Sequence, residues 1–451
     1  MDTDVFHHVG RLPPASIGRV ALEGAGTCVL TLAVIYAGSI GDDTGVLAVP
    51  AILSALIFAL GPSCGAEFNP AVTLALSQAE LRSWSEVVPV LIAQVAGAGA
   101  ATLLGVAAVG AAPLPSTPQP TPVAAAVLEA VYVCVLCAAV LNLSMQRERR
   151  HQYLDPLVAP AVVLAACVAI GWSSGACLNP AIALTLGAGG EHWLLFVAAQ
   201  LAGGAAAVYV VQGLRQRSVL GVPFQTKLLA EAFGTAVLVA TVCLSQQGGS
   251  KLQPLAVGGV LLASVASLGD ISGAHFNPMV TMCLMLHGSM SRGDGFNYIG
   301  VQLAAACAAA WLCCCVGPVE ASVAPVQLPS VGLCGVEVVF GGLLALVVLR
   351  DGSSDDAGQK APGCVGVAVS GCVVGAGLLG GPVGGGILNP AVAVGLDLGS
   401  WMSGGPWGSA VGFTMLGAVS AALATALFSA MQPSTSTCPA QWVAEYRGRV
   451  D

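Results

Sequence analysis

The chain has 451 residues, of which 56% are hydrophobic and 8% charged, and its mean hydropathy is +0.84. A soluble domain carries about 25% charged residues, so this balance excludes an ordinary soluble protein and reads as a polytopic chain in lipid. The net charge of −8 is thinly spread and builds no basic patch, which excludes a nucleic-acid surface.

In chain order, Met1 to Gly10 is acidic, with no basic segment ahead of an apolar core, so no cleavable signal peptide is expected. A membrane span needs ~20 apolar residues. Such runs predict spans near 16–38, 46–62, 86–110, 123–144, 156–173 and 192–213, then 226–246, 253–270, 295–317, 331–350, 362–380 and 406–430. Four apolar segments, 69–78, 179–187, 277–287 and 389–398, are too short to cross and read as half-helices dipping into the bilayer. The Pro-rich stretches Pro113–Pro122 and Pro318–Pro329 predict loops. Residues 214–226 predict a linker with no helix of its own. The expected fold is an all-α membrane protein of two bundles, residues 1–220 and 221–451. Each has six transmembrane helices and two re-entrant half-helices.

Charge placement orients the spans. With a cytoplasmic N-terminus, every Lys and Arg except Lys251 falls on the cytoplasmic side, including Arg19, Arg82, Arg215 and the cluster Arg147, Arg149 and Arg150. Both termini are then cytoplasmic, in a membrane of unstated identity. The 16 cysteines sit mostly in apolar runs and show no zinc-type spacing, so they read as small buried hydrophobes. His7, His8, His151 and His192 show no metal spacing either. Trp84, Trp172, Trp193, Trp401 and Trp407 fall near predicted span ends, where interfacial anchors belong. No metal or cofactor is expected. No nucleophile–base pair or phosphate loop stands out, so the chain does not read as an enzyme.

Each half-helix opens on the same tripeptide or a near copy: Asn69-Pro70-Ala71, Asn179-Pro180-Ala181, Asn277-Pro278-Met279 and Asn389-Pro390-Ala391. The first and third copies are 208 residues apart, the second and fourth 210, so the chain is doubled and each half is itself doubled. Asn is a good helix cap, and Pro suits the first helical position because its missing N–H would be unpaired there. Two such N-termini meeting near the bilayer midplane focus positive dipole ends and amide donors on one spot. A neutral molecule with a lone pair is accepted there and a cation repelled.

The segments around these motifs resemble the aquaporin (major intrinsic protein) family. Cys64-Gly-Ala-Glu-Phe-Asn-Pro-Ala-Val-Thr73 and Ser272-Gly-Ala-His-Phe-Asn-Pro-Met-Val-Thr281 resemble its first-loop signature. Ser174-Gly-Ala-Cys-Leu-Asn-Pro-Ala181 and Gly384-Gly-Gly-Ile-Leu-Asn-Pro-Ala391 resemble the second. The resemblance covers nearly the whole chain and implies two units fused in tandem, each with its own pore. It implies a passive channel for water or small neutral solutes such as urea, ammonia, glycerol or hydrogen peroxide. It also implies that Glu23, Glu129, Glu231 and Glu337 brace the re-entrant loops, and that Gln94 and Gln302 bond between helices. Since family members are usually tetramers, two of these chains would form a pseudo-tetramer.

The chain departs from the family at the filter. Where most members have an Arg after the second tripeptide, Ile182 and Val392 stand. Counting as in the family, the other filter positions are Val49, Cys167 and Ala176 in the first unit, and Val257, Gly377 and Gly386 in the second. Both filters therefore read as apolar and wide. The Asp that follows the Arg in glycerol facilitators is replaced by Ala183 and Ala393. Glu67 stands where His275 stands in the other half, either facing the pore or hydrogen-bonded within its loop. Met279 either narrows the second pore or packs. The Gly380–Gly386 loop is expected to be freer than its counterpart. A structural or junctional protein with poorly conducting pores is the alternative. A coupled transporter would need midplane charges beyond Glu67, Asp270 and the four bracing carboxylates.

Overall fold

The computed structural model describes residues 16–40, 43–109, 119–145, 155–215, 221–319, 331–352, 362–381 and 385–431. The acidic N-terminal stretch, His7, His8, His151, the Arg147–Arg150 cluster, most of both Pro-rich stretches, linker residues 216–220 and residues 382–384 of the Gly-rich loop lie outside them.

The first half holds α1 (Ile17–Ile40), α2 (Asp43–Cys64), α3 (Pro70–Gln78), α4 (Trp84–Val109), α5 (Pro122–Met145), α6 (Asp155–Ser174), α7 (Pro180–Leu186) and α8 (Trp193–Leu214). The second half holds α9 (Phe224–Gln247), α10 (Gln253–Ser272), α11 (Pro278–His287), α12 (Arg292–Cys314), α13 (Val331–Gly352), α14 (Pro362–Gly380), α15 (Pro390–Met402) and α16 (Ser409–Met431). The twelve expected spans all occur as helices, with ends shifted by a few residues. Among the described residues, eleven helices are long and apolar enough to cross a membrane. The twelfth, α14, is the shortest at 19 residues. The half-helices α3, α7, α11 and α15 have 9, 7, 10 and 13 residues, too short to cross. The last runs further than the expected 398, to Met402.

Lipid supplies no hydrophobic drive between helices, so association rests on close packing through small residues. A Cβ on Gly97 of α4 would fall on the carbonyl of Gly24 in α1. One repeat later, a Cβ on Gly203 of α8 would fall on the carbonyl of Ala130 in α5. The re-entrant loops use the same device. The ring of Phe68 fills the space beside Gly26, and that of Phe276 the space beside Gly234.

The two bundles lie side by side, joined through α5 and α6 of the first and α9 and α10 of the second. Of the apolar stretches of α6 and α10, 72% of the residues are buried, against 11% for α2, so the joined faces are an interior and α2 is a surface. Polar bonds cross the seam. Tyr132 and Thr241 share a hydroxyl hydrogen bond at 2.9 Å. Trp172 Nε1 donates to the Leu244 carbonyl at 3.1 Å. Trp172 is thus a seam residue, unlike the interfacial anchor its position suggested; Trp84, Trp401 and Trp407 are exposed. Arg215 donates to Asp270 at 2.8 Å and to Asn142 Oδ1 at 2.7 Å. Asp270 is therefore tied into the seam.

Candidate functional site

Each tripeptide Asn is an extended N-cap; Asn69 has φ −151° and ψ 117°. The four Asn Oδ1 atoms accept from the backbone N–H of Ala71, Ala181, Met279 and Ala391 at 2.9–3.0 Å. Pro70, Pro180, Pro278 and Pro390 take the first helical position, where no N–H is needed.

The caps also tie opposing loops together. Asn69 Nδ2 donates to the Leu178 carbonyl at 2.9 Å, and Asn179 Nδ2 to the Phe68 carbonyl at 2.8 Å. In the second half Asn277 donates to Leu388 and Asn389 to Phe276, both at 2.9 Å. An amide nitrogen carries two protons, so this use leaves the second for a molecule between the half-helices.

The loops before the caps place non-glycine residues at positive φ: Ala66 and Phe68, Ala176 and Leu178, Ala274 and Phe276, and Leu388. That conformation costs energy and persists only where the surroundings enforce it. Four carboxylates do so. Glu23 accepts from the N–H of Glu67 and Phe68, Glu129 from Cys177 and Leu178, and Glu231 from His275 and Phe276, at 2.7–3.0 Å. Glu337 accepts from Gly386, Ile387 and Leu388 at 2.6–2.9 Å. With these N–H groups committed, and the Phe68, Leu178, Phe276 and Leu388 carbonyls accepting from the Asn amides, the irregular backbone is satisfied within the protein, as membrane depth requires.

Three of the carboxylates also accept from a glutamine 71 residues later in the chain: Gln94 on Glu23, Gln200 on Glu129 and Gln302 on Glu231. Gln200 escaped the sequence reading, although the same spacing from Glu129 marks it. Among the described residues Glu337 accepts from backbone N–H groups and from no such glutamine: the residue 71 places later is Gly408, which precedes α16.

Two cavities result. The first, about 1090 Å³, is lined by Asn69 and Asn179 and by the four residues expected at the filter, Val49, Cys167, Ala176 and Ile182. The second, about 220 Å³, is lined by Asn277 and Asn389 and by Val257, Gly377, Gly386 and Val392. Ala71, Ala181 and Ala391 are buried behind the caps. Met279 is fully buried against Gly417 of α16 and stands outside the cavity wall, so it packs.

Glu67 lies on the wall of the first cavity, but its carboxylate is engaged on both sides. Thr73 Oγ1 donates to it at 2.6 Å, and Arg82 donates through Nε at 2.7 Å and through Nη2. Arg19 lies close by and donates to the Cys64 carbonyl at 2.8 Å. Arg19 and Arg82, expected as charges on one side of the membrane, are both buried. His275, the counterpart of Glu67, bonds Thr281 at 3.1 Å and rests on the Tyr298 ring at 5.1 Å. A further carboxylate missed in the sequence, Asp397 of α15, accepts from the Gly408 and Ala410 N–H at 2.8 Å and from Ser409, and so caps α16.

The profile of the major intrinsic protein family matches residues 24–188 and again 218–425. The chain belongs to the major intrinsic protein family. Aquaporin NIP1-1 of Zea mays is 30% identical over 218 residues, covering 46% of this chain and 76% of that protein. Aquaporin-8 of Rattus norvegicus is 32% identical over 182 residues, 37% of this chain and 68% of that one. Aquaglyceroporin AqpS of Rhizobium meliloti (strain 1021) is 37% identical over 92 residues, 18% of this chain, and the match spans 40% of that protein's length. As a major intrinsic protein with two matched segments, the chain is an integral multi-pass membrane protein of a family of passive channels for water and small solutes.

Proposed function

We propose that the chain is a passive channel with one pore in each unit, residues 1–220 and 221–451. The reciprocal tie between Asn-capped half-helices carries this reading: it occurs twice, each time inside a cavity with otherwise apolar filter positions. The amide protons left over offer donors to a lone pair. The paired helix N-termini oppose a cation. The apolar filters, lacking the usual Arg, favour small neutral solutes such as urea, ammonia, glycerol or hydrogen peroxide alongside water. The Lys and Arg distribution supports cytoplasmic termini.

Two chains would close into a ring of four units. Within the chain, α5 and α6 pack on α9 and α10. The equivalent helices α13 and α14 of one chain would pack on α1 and α2 of another. Those helices leave apolar side chains such as Tyr36, Val339 and Leu379 open, a surface that a second chain or lipid would cover.

Stopped-flow light scattering of proteoliposomes under sucrose, urea and glycerol gradients tests the channel. Three variants are compared with the natural chain: Asn69→Asp plus Asn179→Asp, Asn277→Asp plus Asn389→Asp, and all four together. Two working pores predict a partial loss of flux in each double variant. Flux no faster than empty vesicles, from folded and inserted protein, would leave a structural or junctional role instead.

A further inference from the structure

The second cavity is roughly a fifth the volume of the first, and the filter positions do not account for it. Val257 repeats Val49, Val392 is smaller than Ile182, and Gly377 and Gly386 are smaller than Cys167 and Ala176. On those residues alone the second cavity should be the wider.

The mouth reverses the order. Where α1 ends and α2 begins, the first cavity is lined by Gly38 and Gly45. The places 208 residues later, at the end of α9 and the start of α10, hold Gln246 and Gln253, and both line the second cavity. Gln253 Nε2 donates to the Val242 carbonyl at 3.1 Å, which fixes that side chain across the corner between α9 and α10. Gln246 Oε1 is buried with no hydrogen-bond partner among the described residues, so that side chain is packed into the corner rather than extended into solvent. The room that Gly377 offers is taken up by the ring of Pro254, which lies against it. Pore diameter and the groups lining it set what passes.

We infer that Gln246 and Gln253 form a separate constriction at the mouth of the second pore, and that the two pores therefore differ in size limit. The second passes water-sized molecules. The first passes larger neutral solutes of the urea and three-carbon polyol class. This rests on the channel reading above.

The chain carries the means to separate its pores. Cys167 and Cys177 line the first cavity, and no cysteine is among the residues lining the second. Proteoliposomes holding the full chain are treated with p-chloromercuribenzenesulfonate, and water, urea and glycerol fluxes are measured. The protein with Cys167→Ser plus Cys177→Ser is measured too, each protein judged against its own untreated rate. In the natural chain, treatment should cut urea and glycerol flux by about tenfold or more while clear water flux persists, and the serine protein should not respond. Adding Gln246→Gly plus Gln253→Gly should return glycerol flux to the treated protein.

Glycerol and water falling in equal proportion would overturn the inference, as would complete loss of water flux. So would the absence of any gain from the glycine pair in folded protein. If that pair fails to fold, Gly38→Gln in the untreated chain decides: glycerol flux should fall severalfold more than water flux, and an unchanged ratio counts against the inference. A natural chain that conducts nothing would sink the channel reading itself.

Discussion

Arg82 and Glu67 form an ion pair whose side chains are 0% and 2% exposed. A buried pair of this kind contributes little over an apolar replacement, but removing one partner strands the other charge. Arg82→Ala should therefore cost on the order of 3–5 kcal/mol, read as a lowered unfolding temperature in detergent. Adding Glu67→Gln should recover most of the loss. Equal losses in the single and double variants would show that charge compensation is not the role of Arg82.

Glu129 gathers donors from Cys177, Leu178, Ser174 and Gln200 in a fully buried setting. Glu129→Gln keeps the shape but turns an amide NH₂ towards groups that are themselves donors. A loss of about 1–3 kcal/mol is expected from the unpaired groups, and calorimetry of the purified protein checks it. Gln200→Leu should cost less, because the backbone bonds that hold the loop survive.

Gly97 has no room for a side chain, since the Gly24 carbonyl occupies the place of its Cβ. Gly97→Ala should force α1 and α4 apart and sharply lower the yield of monodisperse protein. Gly300→Ala is the control, because nothing lies near that position on α12. Equal yields of the two variants on size-exclusion chromatography would refute close backbone contact as the basis of the α1–α4 joint.

The Arg215–Asp270 pair spans the seam between the units. Residues in direct contact of this kind couple by about 0.5–3 kcal/mol. A double-mutant cycle of Arg215→Ala and Asp270→Ala on thermal unfolding should return a value in that range. Independent, additive effects would show that the seam is held by packing alone.

Much of the fold was legible because lipid imposes a length rule. Apolar runs near twenty residues became spans, and the Asn-Pro pairs marked the short helices by their capping chemistry. The positions Val49, Cys167, Ala176 and Ile182 and their counterparts, which line the cavities, are reached by counting as in the family that the motifs resemble. What escaped depended on contacts between distant elements. The pairing of Arg82 with Glu67 needs the turn that carries α3 back towards its own loop. Trp172 reads as an anchor until α9 is placed beside it. Gln246 and Gln253, to which we attribute the narrower second mouth, lie outside every motif and so carried no signal.

Joining the bundles through α6 and α10 has a consequence for any membrane that holds the chain. Separate channel proteins are mixed in proportions that expression levels set. Here one translation product delivers both cavities, the large and the small, at a fixed ratio of one to one and always as neighbours. On the channel reading proposed above, adjusting the balance between the two permeabilities would then require acting on a single pore within an assembled chain. The unequal mouths, glycines on one and glutamines on the other, are where such an adjustment has something to act on.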